Sequence, residues 1–166
     1  FGRCEEPDPV EFLRLVGTYY QNTGQHQQAR LYYEAGLRAA PQSAAIRQAL
    51  LWLFIDGNDT VALREFLTRH EPEWSQDEEA HDALASAYQA LSLPTVALQR
   101  YLQPRFAAHQ TDLLWLMNYA DALDQNQQSD RAWRLRRHLL SREWQSARDG
   151  QGGTRLTRAQ ARKIWL

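Results

Sequence analysis

Asp121 and Asp124 stand one helical turn apart and are the pair of side chains best spaced for acid–base chemistry. Two carboxylates can divide the roles of acid and base only if one has a raised pKa. That takes an apolar pocket or a close like charge. Nothing in the neighbouring sequence supplies such a pocket, so the pair reads as a solvated helix face. The histidines His26, His70, His81, His109 and His138 are scattered, without the His-x-x-x-His or His-Glu-x-x-His spacing that holds a metal. Cys4 is the only cysteine, which excludes a disulfide framework and a cysteine-based zinc site within this chain. It also lacks the helix start that would lower its pKa. Gly150-Gln-Gly-Gly153 has no following Lys-Ser/Thr and reads as a linker, not a phosphate loop. No Gly-x-Ser-x-Gly elbow occurs. The residues point away from an enzyme and imply no metal and no cofactor.

The remaining reactive groups are charges, and they are unevenly distributed. The formal net charge of −1 conceals nine basic against eighteen acidic residues over 1–130, and ten against two over 131–166. Arg131, Arg134, Arg136, Arg137, Arg142, Arg148, Arg155, Arg158 and Arg162 could meet phosphates. However, Arg134, Arg137 and His138 fall where a helix ends, and cations there complement the helix dipole. The acidic remainder would repel nucleic acid. A basic end docked on an acidic partner, or on more of the same chain, fits better.

Positioning is the work of the elements around these residues. At 166 residues and 43% apolar composition, with six Trp and seven Tyr, the chain can bury a continuous core. Its longest apolar run, Ala49 to Ile55, is far short of a membrane span. With no initiator methionine and no signal peptide, it reads as a fragment of a longer protein.

Tyr20, Phe54, Tyr88 and Leu123 recur at intervals of 34, 34 and 35. Ala29, Ala62, Ala97 and Ala132 follow at 33, 35 and 35, and four residues beyond each come Tyr33, Phe66, Tyr101 and Arg136. Such a period marks a repeat array. Leu13, Val16, Gly17 and Tyr20 have the i, i+3, i+4, i+7 spacing of one buried stripe, as do Ala29, Tyr33, Gly36 and Leu37. Asn22-Thr-Gly24 is the turn between them, with Gly24 free to take positive φ, and Pro41 limits the second helix. Asp8 with Glu11, and Ser75 with Glu78, are arranged like capping boxes, and Thr111-Asp112 can open a fourth unit. Gly17 and Ala29 are expected where two helices cross closely, and Tyr20, Tyr33, Tyr88 and Tyr101 are expected to fill the space between pairs.

The period, the small residue in each first helix, the alanine opening the second, the aromatic one turn later and the closing proline resemble the tetratricopeptide repeat. Leu13 replaces the first-helix Trp of that pattern, Leu51 stands where a small residue is usual, and Arg136 stands where an aromatic is expected. The resemblance covers residues 8–144 and implies an all-α, right-handed superhelix of about four hairpins, at 9–42, 43–74, 75–108 and 111–144. A linker at 145–153 and the start of a further helix at 154–166 would follow. The runs Asn118-Tyr-Ala-Asp-Ala-Leu123 and Arg131-Ala-Trp-Arg-Leu-Arg-Arg137 are also similar to the periplasmic repeat region of Pel-type exopolysaccharide export proteins of the outer membrane. That resemblance implies a periplasmic scaffold that holds a PelA-like polysaccharide deacetylase/hydrolase next to the export pore.

In the tetratricopeptide architecture, first helices line a concave groove. Here those positions would be Glu11, Arg14, Thr18, Gln21 and Asn22, then Gln48, Trp52, Ile55 and Asp56. Glu79, Asp82, Ser86 and Gln89 follow, and Met117, Asp121 and Asp124 complete the set. Six acids face one base, Arg14, so the groove is expected to attract a basic ligand, a cationic peptide or a partly deacetylated amino sugar. The lysine and arginine cluster with which chaperone-binding members clamp a carboxylate is missing. Trp52 is expected at the groove floor, either packed or open for stacking on a partner. Trp115 and Trp133 are expected to pack, and Trp74 to lie in the loop before the third unit. Trp144 and Trp165 would cover the last helix or meet further sequence. A non-catalytic protein-docking scaffold is the leading reading. A groove that guides a cationic polysaccharide, or a peptide-binding adaptor, is the alternative.

Overall fold

The computed structural model describes residues 8–150 and Arg162, and helices alone form its regular elements there, as expected. α1 (Pro9–Asn22) and α2 (His26–Ala39) make the first hairpin, and α3 (Ala44–Asp56) and α4 (Thr60–Trp74) the second. A 3₁₀ turn, Glu78–Ala80, leads into α5 (His81–Ala90). α6 (Pro94–Val96) continues as a π-helical stretch, Ala97–Leu102, and a 3₁₀ stretch, Gln103–His109. α7 (Leu113–Gln125), α8 (Ser129–Leu139) and α9 (Arg142–Gly150) complete the order. The chain divides into two compact units between Leu91 and Ser92.

The helix starts are encoded by short acceptors. Asp8, Ser43, Asp59 and Asp112 each accept from a backbone N–H in the first turn of α1, α3, α4 and α7. Two start signals differ from expectation. Glu11 does not close a capping box, because Arg14 holds its carboxylate in a two-bond fork at 2.6 and 2.8 Å. Ser75 caps the end of α4, and Asp77, two residues later, opens the third unit by accepting from Glu79 N–H.

The turns inside the hairpins share one backbone device. Gly24, Asn58, Ser92 and Gln127 all have positive φ, at 76°, 51°, 59° and 59°. They recur at 34, 34 and 35 residues, the same intervals as the first aromatic series. The N–H one residue on bonds back to Tyr20, Phe54 and Leu123 carbonyls at 2.8, 2.9 and 2.9 Å, closing the helix end in a left-handed cap. Only the first of these positions is glycine. The backbone conformation is imposed by the reversal between helices, and Asn, Ser and Gln accept its strain.

In the first unit α3 packs on α1, α2, α4 and α5. It buries one broad face, Ile46, Arg47, Leu50, Leu51, Leu53 and Phe54, and leaves Gln48, Trp52 and Asp56 exposed. The recurring alanines Ala29, Ala62, Ala97 and Ala132 are all buried, as are Tyr33, Phe66 and Tyr101. Tyr20 and Tyr88 are half-buried instead; Tyr20 stacks on Tyr32 with centroids 5.4 Å apart. Gly17 is small for a different reason from the one expected. A Cβ there would stand 2.5 Å from Cε1 of Tyr33, so the glycine makes room for that ring, not for a bare helix backbone.

In the second unit, α7 packs on α8 and on the π and 3₁₀ stretches. The second helix of the third repeat is irregular because Pro104, with no N–H, cannot continue an α-ladder. Trp115 stacks between His109 and Tyr119, at 4.4 and 5.4 Å. Trp144 is buried and its Nε1 donates to the Gln110 carbonyl at 2.7 Å. Three expectations are corrected. Trp74 belongs to α4 and is buried against Phe66. Trp133 is 49% exposed, with the Arg137 guanidinium 5.3 Å from its ring centroid. Residues 145–150, expected as linker, continue α9. Trp165, the stretch 151–153 and, apart from Arg162, the helix start expected at 154–166 lie outside the described residues.

Candidate functional site

The first-helix face of the first unit gathers part of the expected set. On α1, Glu11 and Arg14 form the fork already described, and hydrogen bonding from Arg14 holds the Glu11 carboxyl below its ordinary range. Thr18 and Gln21 converge on a residue that the groove assignment had left out. The Tyr33 hydroxyl, coming from α2, lies 3.1 Å from the Thr18 hydroxyl and donates to Gln21 Oε1 at 2.9 Å. Gln21 then donates from Nε2 to Asp56 at 2.9 Å, linking α1 to the end of α3. Thr18, Gln21 and Asp56 are therefore members of one polar network.

The rest of this face is more open. Asn22, Gln48, Glu79 and Asp82 are exposed, while Ile55, Ser86 and Gln89 are half-buried. Glu79 sits in the 3₁₀ turn before α5, not on the helix itself. Trp52 is 37% exposed although its neighbours Leu51 and Leu53 are buried. It shares one side of α3 with Gln48, one turn earlier.

In the second unit Met117 is half-buried on α7, and the two aspartates are held from the neighbouring helix. Arg136 of α8 donates from Nη2 to Asp121 at 2.7 Å and from Nη1 to Asp124 at 2.5 Å. Burial works against the guanidinium's charge, but the hydrogen bonds it donates to Asp124 and Asp121 outweigh that and raise its pKa still further. The expected balance of six acids against one base is thus corrected. A second arginine pairs with both of these acids and offsets one of their two charges, and it was missed because it comes from a second helix. Arg136 stands where Tyr33 stands in the first repeat, and Asp121 and Asp124 stand where Thr18 and Gln21 stand. One position performs the same join with a hydroxyl in one hairpin and a guanidinium in the other.

Paired hairpins, buried alanines at the repeat interval and a left-handed turn in every unit meet a direct comparison: the tetratricopeptide-repeat family model matches residues 7–145. The chain belongs to the tetratricopeptide-repeat family. Domains of this family typically act as non-catalytic scaffolds that bind protein partners. No match was found among curated proteins or among solved structures. Among the described residues no three His, Cys, Asp or Glu side chains are grouped to hold a metal ion, and no helix is long and apolar enough to cross a membrane.

Within this tetratricopeptide fold, two further features escaped the sequence reading. Arg47 is buried to 4% exposure, donating to Gln42 at 3.1 Å and to Glu73 at 2.9 Å, while Gln42 donates to the same carboxylate at 2.6 Å. A charge within the apolar run Ile46 to Phe54 was the signal that could have found it. The second is a cleft between α2 and α4, on the second-helix side of the first unit. Its residues come from both hairpins, and no single stretch of sequence carries it.

Proposed function

We propose that this chain docks a periplasmic polysaccharide-modifying enzyme beside an outer-membrane exopolysaccharide export pore, through the first-helix face of α1, α3 and α5. Membership of a scaffold family and the resemblance of the fourth repeat to Pel-type export proteins support this reading. The observation that carries it is Trp52. Helix α3 buries one face, Ile46, Arg47, Leu50, Leu51, Leu53 and Phe54, and leaves this indole 37% exposed on the opposite face that Gln48 shares. A tryptophan carried on the outer face of a packed helix and open on one side is the kind of anchor that dominates protein interfaces. The exposed carboxylates Glu79 and Asp82 add a preference for a basic partner surface.

The test is co-purification of a PelA-like deacetylase/hydrolase with the parent chain and with Trp52→Ala. Retention by the parent and loss by the variant, at unchanged helix content, are expected. Equal retention by both, or by neither, refutes the assignment. Direct guidance of a cationic polysaccharide has less support, since Arg136 already engages Asp121 and Asp124. A de-N-acetylated amino-sugar oligomer is expected to bind no more weakly when both aspartates are changed to asparagine.

A further inference from the structure

The cleft between α2 and α4 encloses about 410 Å³, within the roughly 300–1,000 Å³ typical of ligand pockets. Leu37, Leu50, Phe54 and Phe66 line it, and the last three belong to the buried core. The apolar base is therefore fixed by the packing of the hairpins. His70 also lines it, its ring 4.6 Å from that of Phe66; burial, then Arg47 and Arg69, hold its pKa below 6.5, so it is neutral at pH 7.

The rim is charged, and its charges are not equally occupied. Arg30 is committed locally: its Nε donates to Glu34 at 2.7 Å, and its guanidinium lies 5.2 Å from the Phe54 ring centroid. Arg38, from the last turn of α2, and Arg69, from the later half of α4, are exposed, and neither has a carboxylate within ion-pair distance among the described residues. Glu65 is the lining acid that Arg30 leaves without a direct ion pair. Two available guanidinia, Arg38 on α2 and Arg69 on α4, thus outnumber the one such carboxylate, Glu65 on α4, around an apolar floor.

We propose that this cleft is a second docking site, for a partner's peptide segment that carries a large apolar side chain flanked by carboxylates. The apolar group lies over Phe54 and Phe66, and the carboxylates meet Arg38 and Arg69, whose planar forks suit that geometry. A phosphate backbone or a sugar chain would leave the apolar floor unmatched. Second helices supply most of the lining, with Leu50 and Phe54 reaching it from the buried face of α3. Trp52 is not among its residues, so the site stands or falls separately from the Trp52 face.

The experiment is titration of the ¹⁵N-labelled chain with an acetylated hexapeptide in which Leu-Phe is flanked on each side by two glutamates. Saturable shifts along α2, α4 and the Phe54 end of α3 are expected, with none along α1 and α5. The variant R38E/R69E, altered only at exposed positions, should bind at least tenfold more weakly at unchanged circular dichroism, and R38A/R69A should fall between. Replacing the peptide's glutamates by lysine, or its Leu-Phe by Ser-Ser, should cost at least tenfold as well. The proposal is overturned if R38E/R69E binds like the parent, if the shifts map to α1 and α5, or if no saturation is reached by about 2 mM peptide. Phenylpropionate binding as tightly as the hexapeptide would also overturn it, making the occupant a free acid.

Discussion

Replacing Gly17 by alanine should destabilise the first hairpin, although alanine is the better helix former. The added Cβ would stand 2.5 and 2.6 Å from two ring carbons of Tyr33 and 3.1 Å from a third. Carbon atoms in contact rest at about 3.5–4.0 Å, so the ring must retreat by roughly 1 Å. Tyr33 is 1% exposed and has no open side to move into. Its hydroxyl is also tied to Thr18 and Gln21, and a shifted ring strains both bonds. Overpacking of this kind costs about 1–3 kcal/mol, and a weakened hydrogen bond about 1 kcal/mol. The helix-propensity gain of about 1 kcal/mol offsets only part of this. A net loss of about 1–3 kcal/mol is expected, and at about 2–4 °C per kcal/mol the Tm falls by several degrees. Thermal and urea unfolding followed by circular dichroism measure it. Gly36→Ala is the internal control, because its nearest contact, 2.9 Å, is a terminal methyl of Ile46 that can swing aside. In a Tyr33→Leu background the ring is gone, and Gly17→Ala should become neutral or stabilising. An increase in stability from Gly17→Ala alone, or an undiminished loss in the Tyr33→Leu background, refutes this reasoning.

Gln127 holds φ at 59°, so Gln127→Gly should raise stability by about 0.5–1 kcal/mol; an unchanged or lower urea midpoint would count against the strain assigned to it. Arg136→Leu leaves Asp121 and Asp124 facing each other. A loss of about 1 kcal/mol, limited by solvent screening, should appear at low salt and be recovered by adding D121N/D124N. Hydrogen bonds from Gln42 and Arg47 hold the Glu73 carboxyl below its ordinary 4.5. Its stabilising contribution is present above that value and is lost as pH falls through the lower, folded-state pKa. An acid titration should therefore show a loss of stability below pH 4.5 that is smaller in Glu73→Gln. Trp144→Phe removes the donor to the Gln110 carbonyl and should cost about 1 kcal/mol in urea unfolding, with the deficit persisting in high salt.

The hairpin plan was legible because its determinants are periodic. Ala29, Ala62, Ala97 and Ala132 are spaced by the repeat and buried in every unit. The left-handed turn was readable only at Gly24. At Asn58, Ser92 and Gln127 the same conformation is set by how two helices reverse, and side-chain identity does not announce it. Trp74 was expected in a loop, yet α4 runs past Pro72 to include it. Counting charges along first helices gave Asp121 and Asp124 as open acids, since the count cannot include an arginine from the next helix. For the same reason Tyr33 was read as filler when its hydroxyl reaches the Thr18–Gln21 face. The lining of the cleft is likewise split among three helices, α2, α3 and α4, beyond the reach of any local pattern.

The substitution of Arg136 for the tyrosine position constrains how such hairpins can change. Arginine placed where Tyr33 sits would find a threonine and a glutamine, with no counter-ion. Tyrosine placed where Arg136 sits would leave two anions a turn apart. Each single step is a valley, so the three residues must move together, as a cassette. Anyone shuffling hairpins from this chain should therefore splice between hairpins and keep each first helix with its own second one.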